Sequence, residues 1–117
     1  MNWEALIEAA VGLLAPAERD TAVLYLLQEV QPQGRALDLG GITLSRPYDV
    51  VVFFVDLEPE ANWGHRCRYV LMDVAGERRE SVAARFPPFL RAIPPGLRVA
   101  WKGSAVPAWA VASSRGA

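Results

Sequence analysis

Apolar positions at the start of the chain fall on one helical stripe. Trp3, Leu6, Ile7, Ala10, Leu13 and Leu14 recur at spacings of three and four, as in a helix that hides one side. Asn2 precedes them as a cap, and Glu4 sits in the positively polarised first turn. Pro16 ends this segment and suits the first position of a second helix. Glu18-Arg19-Asp20 would open it, Val23, Leu24, Leu27 and Val30 would form its stripe, and Pro32 with Gly34 would stop it. The expectation is an αα-hairpin; a strand over Ala22–Leu27 is the competing reading.

From Arg35 the period changes to two. Leu37 and Leu39, then Ile42 and Leu44, flank Gly40-Gly41, which suits a two-residue hairpin turn. Arg46-Pro47-Tyr48 breaks the alternation. Asp49–Leu57 (DVVVFFVDL) is a continuous β-branched and aromatic run, expected as a central strand covered on both faces, one of them by the helical pair. Glu58–Gly64 (EPEANWG) is a loop. Arg66–Val74 and Glu77–Phe86 are strands joined by a turn at Ala75-Gly76. Pro87-Pro88 leads out of the sheet, Phe89–Ile93 suits one helical turn, and Pro94-Pro95-Gly96 is a rigid break. Leu97, Val99 and Trp101 alternate with Arg98, Ala100 and Lys102 in a further strand. Pro107 demotes Ala108–Ala112 to an edge strand or extended tail. Helices followed by a run of adjacent strands predict an α+β fold, with an N-terminal αα-hairpin on a mainly antiparallel sheet of five to six strands.

A length of 117 residues fits one domain, expected over 1–112 with a frayed tail over 113–117. Such a chain buries enough surface to fold without a metal or a disulfide. With 52% apolar and 21% charged residues, it is too apolar for disorder and leaves apolar surface for a partner. Lys102 is the only lysine, and Ala, Gly, Pro and Val are abundant, a composition expected of a GC-rich bacterial coding sequence. The lone Cys67 excludes an internal disulfide and suits a reducing compartment. Met1-Asn2-Trp3-Glu4 lacks the basic start of a signal peptide. No apolar run reaches the ~18 residues of a membrane span. A cytoplasmic location away from membranes is expected.

Net charge is −1, with no general attraction to polyanions. Its distribution is uneven. Residues 1–64 carry ten acids and three arginines, a net of −7; residues 65–117 carry nine bases and three acids, a net of +6. In one fold such halves are expected to neutralise each other, with a polar binding surface as the alternative.

The segment Asn62–Tyr69 (NWGHRCRY) holds the only histidine and the only cysteine. A cysteine hydrolase needs thiolate and imidazole within hydrogen-bond reach. Residues two apart on a strand point the same way with Cα atoms ~6.5–7 Å apart, and their side chains run parallel. Cys67 is therefore expected to be a small core residue. His65 and Cys67 alone are too few ligands for zinc, and Asp56, Glu58 and Glu60 are expected to be a solvated acidic loop, so no metal or cofactor is expected. Gly40-Gly41 matches neither a P-loop nor a dinucleotide fingerprint, and no serine lies in a nucleophile-elbow context. Arg66, Arg68, Arg78 and Arg79, with Tyr69, put a basic surface on one hairpin, the pattern of a nucleic-acid face, but the net acidity and the lone lysine disfavour that partner.

Protein binding fits best. Four tryptophans are many for this length, and Trp and Arg dominate binding hot spots. Trp63 lies in a polar loop, Trp109 on a Pro-flanked tail, and the diproline breaks suit rigid display. The expected binding residues are Trp63, His65, Arg66, Arg68, Glu58 and Glu60, with no catalytic set. The expected function is that of a small non-catalytic bacterial accessory protein: an immunity or inhibitor protein, or an adaptor of a neighbouring enzyme. The alternatives are a small hydrolase or transferase using Cys67 and His65, and a nucleic-acid-binding module using the hairpin arginines.

Overall fold

Asn2 begins the fold as the sequence requires: its side chain accepts the Ala5 N–H at 3.1 Å, satisfying one of the orphan amides of a helix start. Helix α1 (Trp3–Gly12) follows in a computed structural model that describes residues 1–39, 41–61, 66–88 and 93–112. Leu6 and Ala10 on α1, and Leu14 just beyond it, are buried in one stripe.

The second helix is much shorter than its stripe implies. Helix α2 covers only Glu18–Thr21; at Ala22 the backbone turns extended and strand β1 (Val23–Gln31) begins. Val23, Leu24, Leu27 and Val30 therefore belong to a strand, as in the competing reading. The physical reason lies in burial: Ala22, Val23, Leu24, Tyr25 and Leu26 are all inaccessible to solvent. Five consecutive buried positions exceed what one helix face conceals, but suit a strand covered on both sides.

The remaining strands are β2 (Leu37–Leu39), β3 (Ile42–Leu44), β4 (Val50–Asp56), β5 (Cys67–Asp73), β6 (Arg79–Ala84) and β7 (Leu97–Lys102). Five form an antiparallel sheet in the order β6-β5-β4-β1-β7, and β2 pairs with β3 in a separate hairpin. The fold is α+β, and β4 is its middle strand with every residue buried. Gly40 of the hairpin turn, the Phe89–Ile93 turn except Ile93, and the 113–117 tail lie outside the described residues. The turn after β5 needs glycine: Gly76 has φ 73°, and a Cβ there would stand 3.1 Å from Leu6 Cδ2.

The two sheet faces are covered differently. On one, Leu6, Ala10 and Leu14 pack on Leu24, Leu26, Val51, Phe53, Val55, Val70 and Met72. On the other, the β2–β3 hairpin brings Leu37 and Leu39 over Val52, Phe54, Tyr69 and Leu71, and Val106 completes the cover. Here Tyr25, Phe54 and Tyr69 form a tilted row, with centroids 5.8 and 5.1 Å apart. The Tyr69 hydroxyl donates to the Phe86 carbonyl at 3.0 Å, and the Tyr25 hydroxyl accepts the Ala112 N–H at 2.8 Å.

Ala108–Ala112 is neither a strand nor fully extended. Ala108–Ala110 forms a 3₁₀ turn, with the Ala110 N–H on the Pro107 carbonyl. The chain reaches it from Gly103, whose N–H donates to the Ala22 carbonyl at 2.9 Å. A Cβ at Gly103 would lie 2.3 Å from the Asp20 carbonyl, so only glycine permits this approach. Among the described residues, no helix is long and apolar enough to cross a membrane.

Candidate functional site

At the end of β4 the backbone leaves the sheet through a carboxylate-stabilised turn. Asp56 is fully buried, and its Oδ1 accepts the Glu58 N–H at 3.0 Å, a local turn that Asp favours. The loop is then pinched at its base. The Leu57 N–H donates to the Arg66 carbonyl at 3.0 Å, and Glu58 Oε1 accepts the Arg66 N–H. The Ala61 N–H closes a further turn on the Glu58 carbonyl at 3.0 Å. Backbone and side chain thus latch the two ends of the loop together.

Beside this latch lies a recess of about 390 Å³. Its walls are Thr21 at the end of α2, the stretch from Leu57 to Ala61, and Ala105 with Val106 from the C-terminal segment. The last wall is held in place: Ala105 N–H donates to the Asp20 carbonyl at 2.9 Å, and the Lys102 ammonium donates to the Val106 carbonyl at 2.5 Å. Glu58 and Glu60 are both exposed on this recess. Neither Thr21 nor Ala105–Val106 was marked by the sequence; the available signal was Gly103, whose close approach to Asp20 brings that wall in.

The expected site residues separate. Glu58 and Arg66 meet at the loop base, through the Glu58 carboxylate and the Arg66 backbone. Arg68 points to the α1 side of the sheet and grips Glu18 with two bonds of 2.6 and 2.9 Å, so it does not join Glu58 and Glu60. The Arg68 guanidinium holds the Glu18 carboxyl down at about 2, with help from the Ala15 N–H and the Arg66 charge and against partial burial. Trp63 and His65 lie outside the described residues.

No protein-family model, curated protein or solved structure matches this chain.

Cys67 faces the Tyr25–Phe54–Tyr69 side, 2% exposed. Burial, with the nearby charges of Asp56 and Glu58, pushes its thiol up to about 12. At neutral pH it is a protonated core thiol, lacking the nucleophilic form that covalent catalysis uses. Tyr25 is likewise pushed up to about 12 by burial. Of the hairpin arginines, Arg78 stacks over Tyr48 with its guanidinium 5.0 Å from the ring centroid, and Arg79 donates to the Gly76 carbonyl at 2.7 Å. Among the described residues, no group of His, Cys, Asp and Glu is placed to hold a metal ion.

Proposed function

We propose that this protein works by binding another protein, with the latched loop after β4 and its acidic recess as the contact surface. The role that suits it is a non-catalytic accessory one, as an inhibitor or immunity protein or as the adaptor of a neighbouring enzyme. The observation that carries this reading is the recess of about 390 Å³, which is held open by bonds at its walls and rimmed by exposed Glu58 and Glu60. A preformed concavity with a charged rim accepts a side chain of a partner at low ordering cost. Exposed Arg66 adds a cation at the loop base, where its backbone N–H meets the Glu58 carboxylate. The buried, high-pKa thiol of Cys67 weighs against the hydrolase alternative.

The test has two stages. The tagged protein is recovered from its native cells, and a co-purifying chain of fixed stoichiometry is identified and purified. Its affinity is then measured for wild type, Glu60→Arg and Trp63→Ala, alongside the melting temperature of each. Glu60→Arg is expected to weaken binding at least ten-fold with an unchanged melt. Full affinity in both variants would place the contact surface elsewhere.

A further inference from the structure

The two outer strands of the sheet are finished differently. On β7, the pairing with β1 slips between Leu24 and Tyr25, and the Trp101 indole N–H donates to the Arg19 carbonyl at 2.9 Å. Such a bulged edge is a poor template for another strand. On β6, six residues pair with β5 in unbroken register from Cys67↔Ala84 to Met72↔Arg79. No strand among the described residues lies on its other side.

The orientation of that free edge follows from one bond. The Asp73 N–H donates to the Arg78 carbonyl at 3.2 Å, in the same register as the β5–β6 ladder. Bonded and non-bonded pairs alternate in an antiparallel ladder. Arg79, Ser81 and Ala83 therefore direct their own N–H and C=O groups outward. Their side chains lie on the α1 side, opposite Met72, Val70 and Arg68, and all three are exposed because α1 does not reach across them. Ser81 and Ala83 are short, so a further strand meets no obstruction.

The charge of the edge selects what it takes. Arg78, Arg79 and Arg85 are exposed along it. Glu80 is engaged by Arg46 through bonds of 2.8 and 2.6 Å, and Glu77 is the only other acid from 77 to 85. Val74 and Phe86, 45% and 37% exposed, stand at the two ends and offer apolar contact. We infer that the outer edge of β6 docks an extended acidic segment of a partner protein, added as a sixth strand. Backbone bonds to Arg79, Ser81 and Ala83 supply the pairing, and the arginines supply the preference for acid. This edge is a second contact surface and does not depend on the loop after β4.

The probe is a fluorescein-labelled hexapeptide of alternating Glu and Val, followed by anisotropy against the intact protein. It is expected to bind at least ten-fold more tightly than a Lys-Val counterpart. Methylating its alternate backbone nitrogens, which leaves the protein untouched, is expected to abolish binding. Arg79→Glu with Arg85→Glu is expected to reverse the preference. Ser81→Pro removes an outward N–H and is tolerated on an edge; it is expected to lose the peptide while keeping the melting temperature. Absent binding, equal binding of both peptides, or indifference to methylation overturns the proposal. So does a wild-type dimer that Ser81→Pro dissociates, which would assign the edge to a second copy.

Discussion

The two faces of the five-stranded sheet are sealed by opposite strategies. One is covered by a single regular element, α1, whose Leu6 and Ala10, with Leu14 beyond it, form one periodic stripe. The other is assembled from separate pieces: the β2–β3 hairpin, the chain around Phe86 and the segment Gly103–Ala112. None of these pieces has a long apolar stripe. They are instead fastened to the sheet by core tyrosine hydroxyls and by the backbone contact at Gly103. A regular cover needs only area; an irregular one needs specific fasteners, and those fix the position of the recess wall at Ala105–Val106.

The strongest test of this contrast lies in the strand both faces share. Phe53→Asp on the α1 side and Val52→Asp on the tyrosine side each bury a charge without a partner. Both are expected to abolish the cooperative melt followed by circular dichroism, at a cost above about 4 kcal/mol. A variant melting within a degree or two of wild type would remove β4 from the interior.

Truncating the covers comes next. Leu6→Ala is expected to cost about 3 kcal/mol and Leu39→Ala about 2 kcal/mol in denaturant melts, the lower end applying where the hairpin can settle into the space. Equal or inverted costs would show that the irregular cover is packed as rigidly as the helix.

The fasteners are expected to cost less but to act locally. Tyr25→Phe removes the acceptor of the Ala112 N–H, at about 1 kcal/mol. Hydrogen exchange is expected to speed at Ala112 while the α1 amides stay protected. Cys67→Ala, on the same face, is expected to cost about 1 kcal/mol of packing with binding activity kept. In the wild type, a thiol reagent at neutral pH is expected to wait for unfolding, because the thiol is buried and protonated.

The smallest effect belongs to the polar clasp on the α1 side. Glu18→Gln is expected to lose about 0.5 kcal/mol at neutral pH. The folded carboxyl titrates at about 2, below its ordinary 4.5. Its stabilisation is therefore fully present above about pH 4.5 and fades as pH falls towards 2. The gap between wild type and Glu18→Gln in melts at successive pH values should close over that window and stay constant above it.

What the sequence revealed follows the same division. The α1 stripe, the β4 run and the alternation of β5, β6 and β7 each carry a single strong period, and their positions were readable. Val23, Leu24, Leu27 and Val30 satisfy a helical spacing as well as lying in a buried run, so the period alone did not choose between helix and strand. Pro107 removed periodicity from the C-terminal segment, and its 3₁₀ turn was not foreseen. For the site, nearness in sequence placed Glu58 and Arg66 together, because a loop closes on its own ends. The Glu18–Arg68 pair joins residues fifty positions apart, and no local pattern announces it. It nonetheless joins an acid of the acidic half to a base of the basic half, whereas Arg46 with Glu80 pairs the minority charge of each.

The place of β1 in the sheet has a consequence for how the chain comes together. Its neighbours are β4, one hairpin away, and β7, where Val23 lies opposite Lys102. Loop closure of that length is slow relative to hairpin formation. While the chain is being synthesised, β1, β4, β5 and β6 can pair as soon as β6 has emerged, but the outer edge of β1 stays bare until β7 arrives. The unpaired backbone of the apolar stretch Leu24–Leu27 is then the segment that nascent-chain chaperones or a neighbouring nascent chain would meet first.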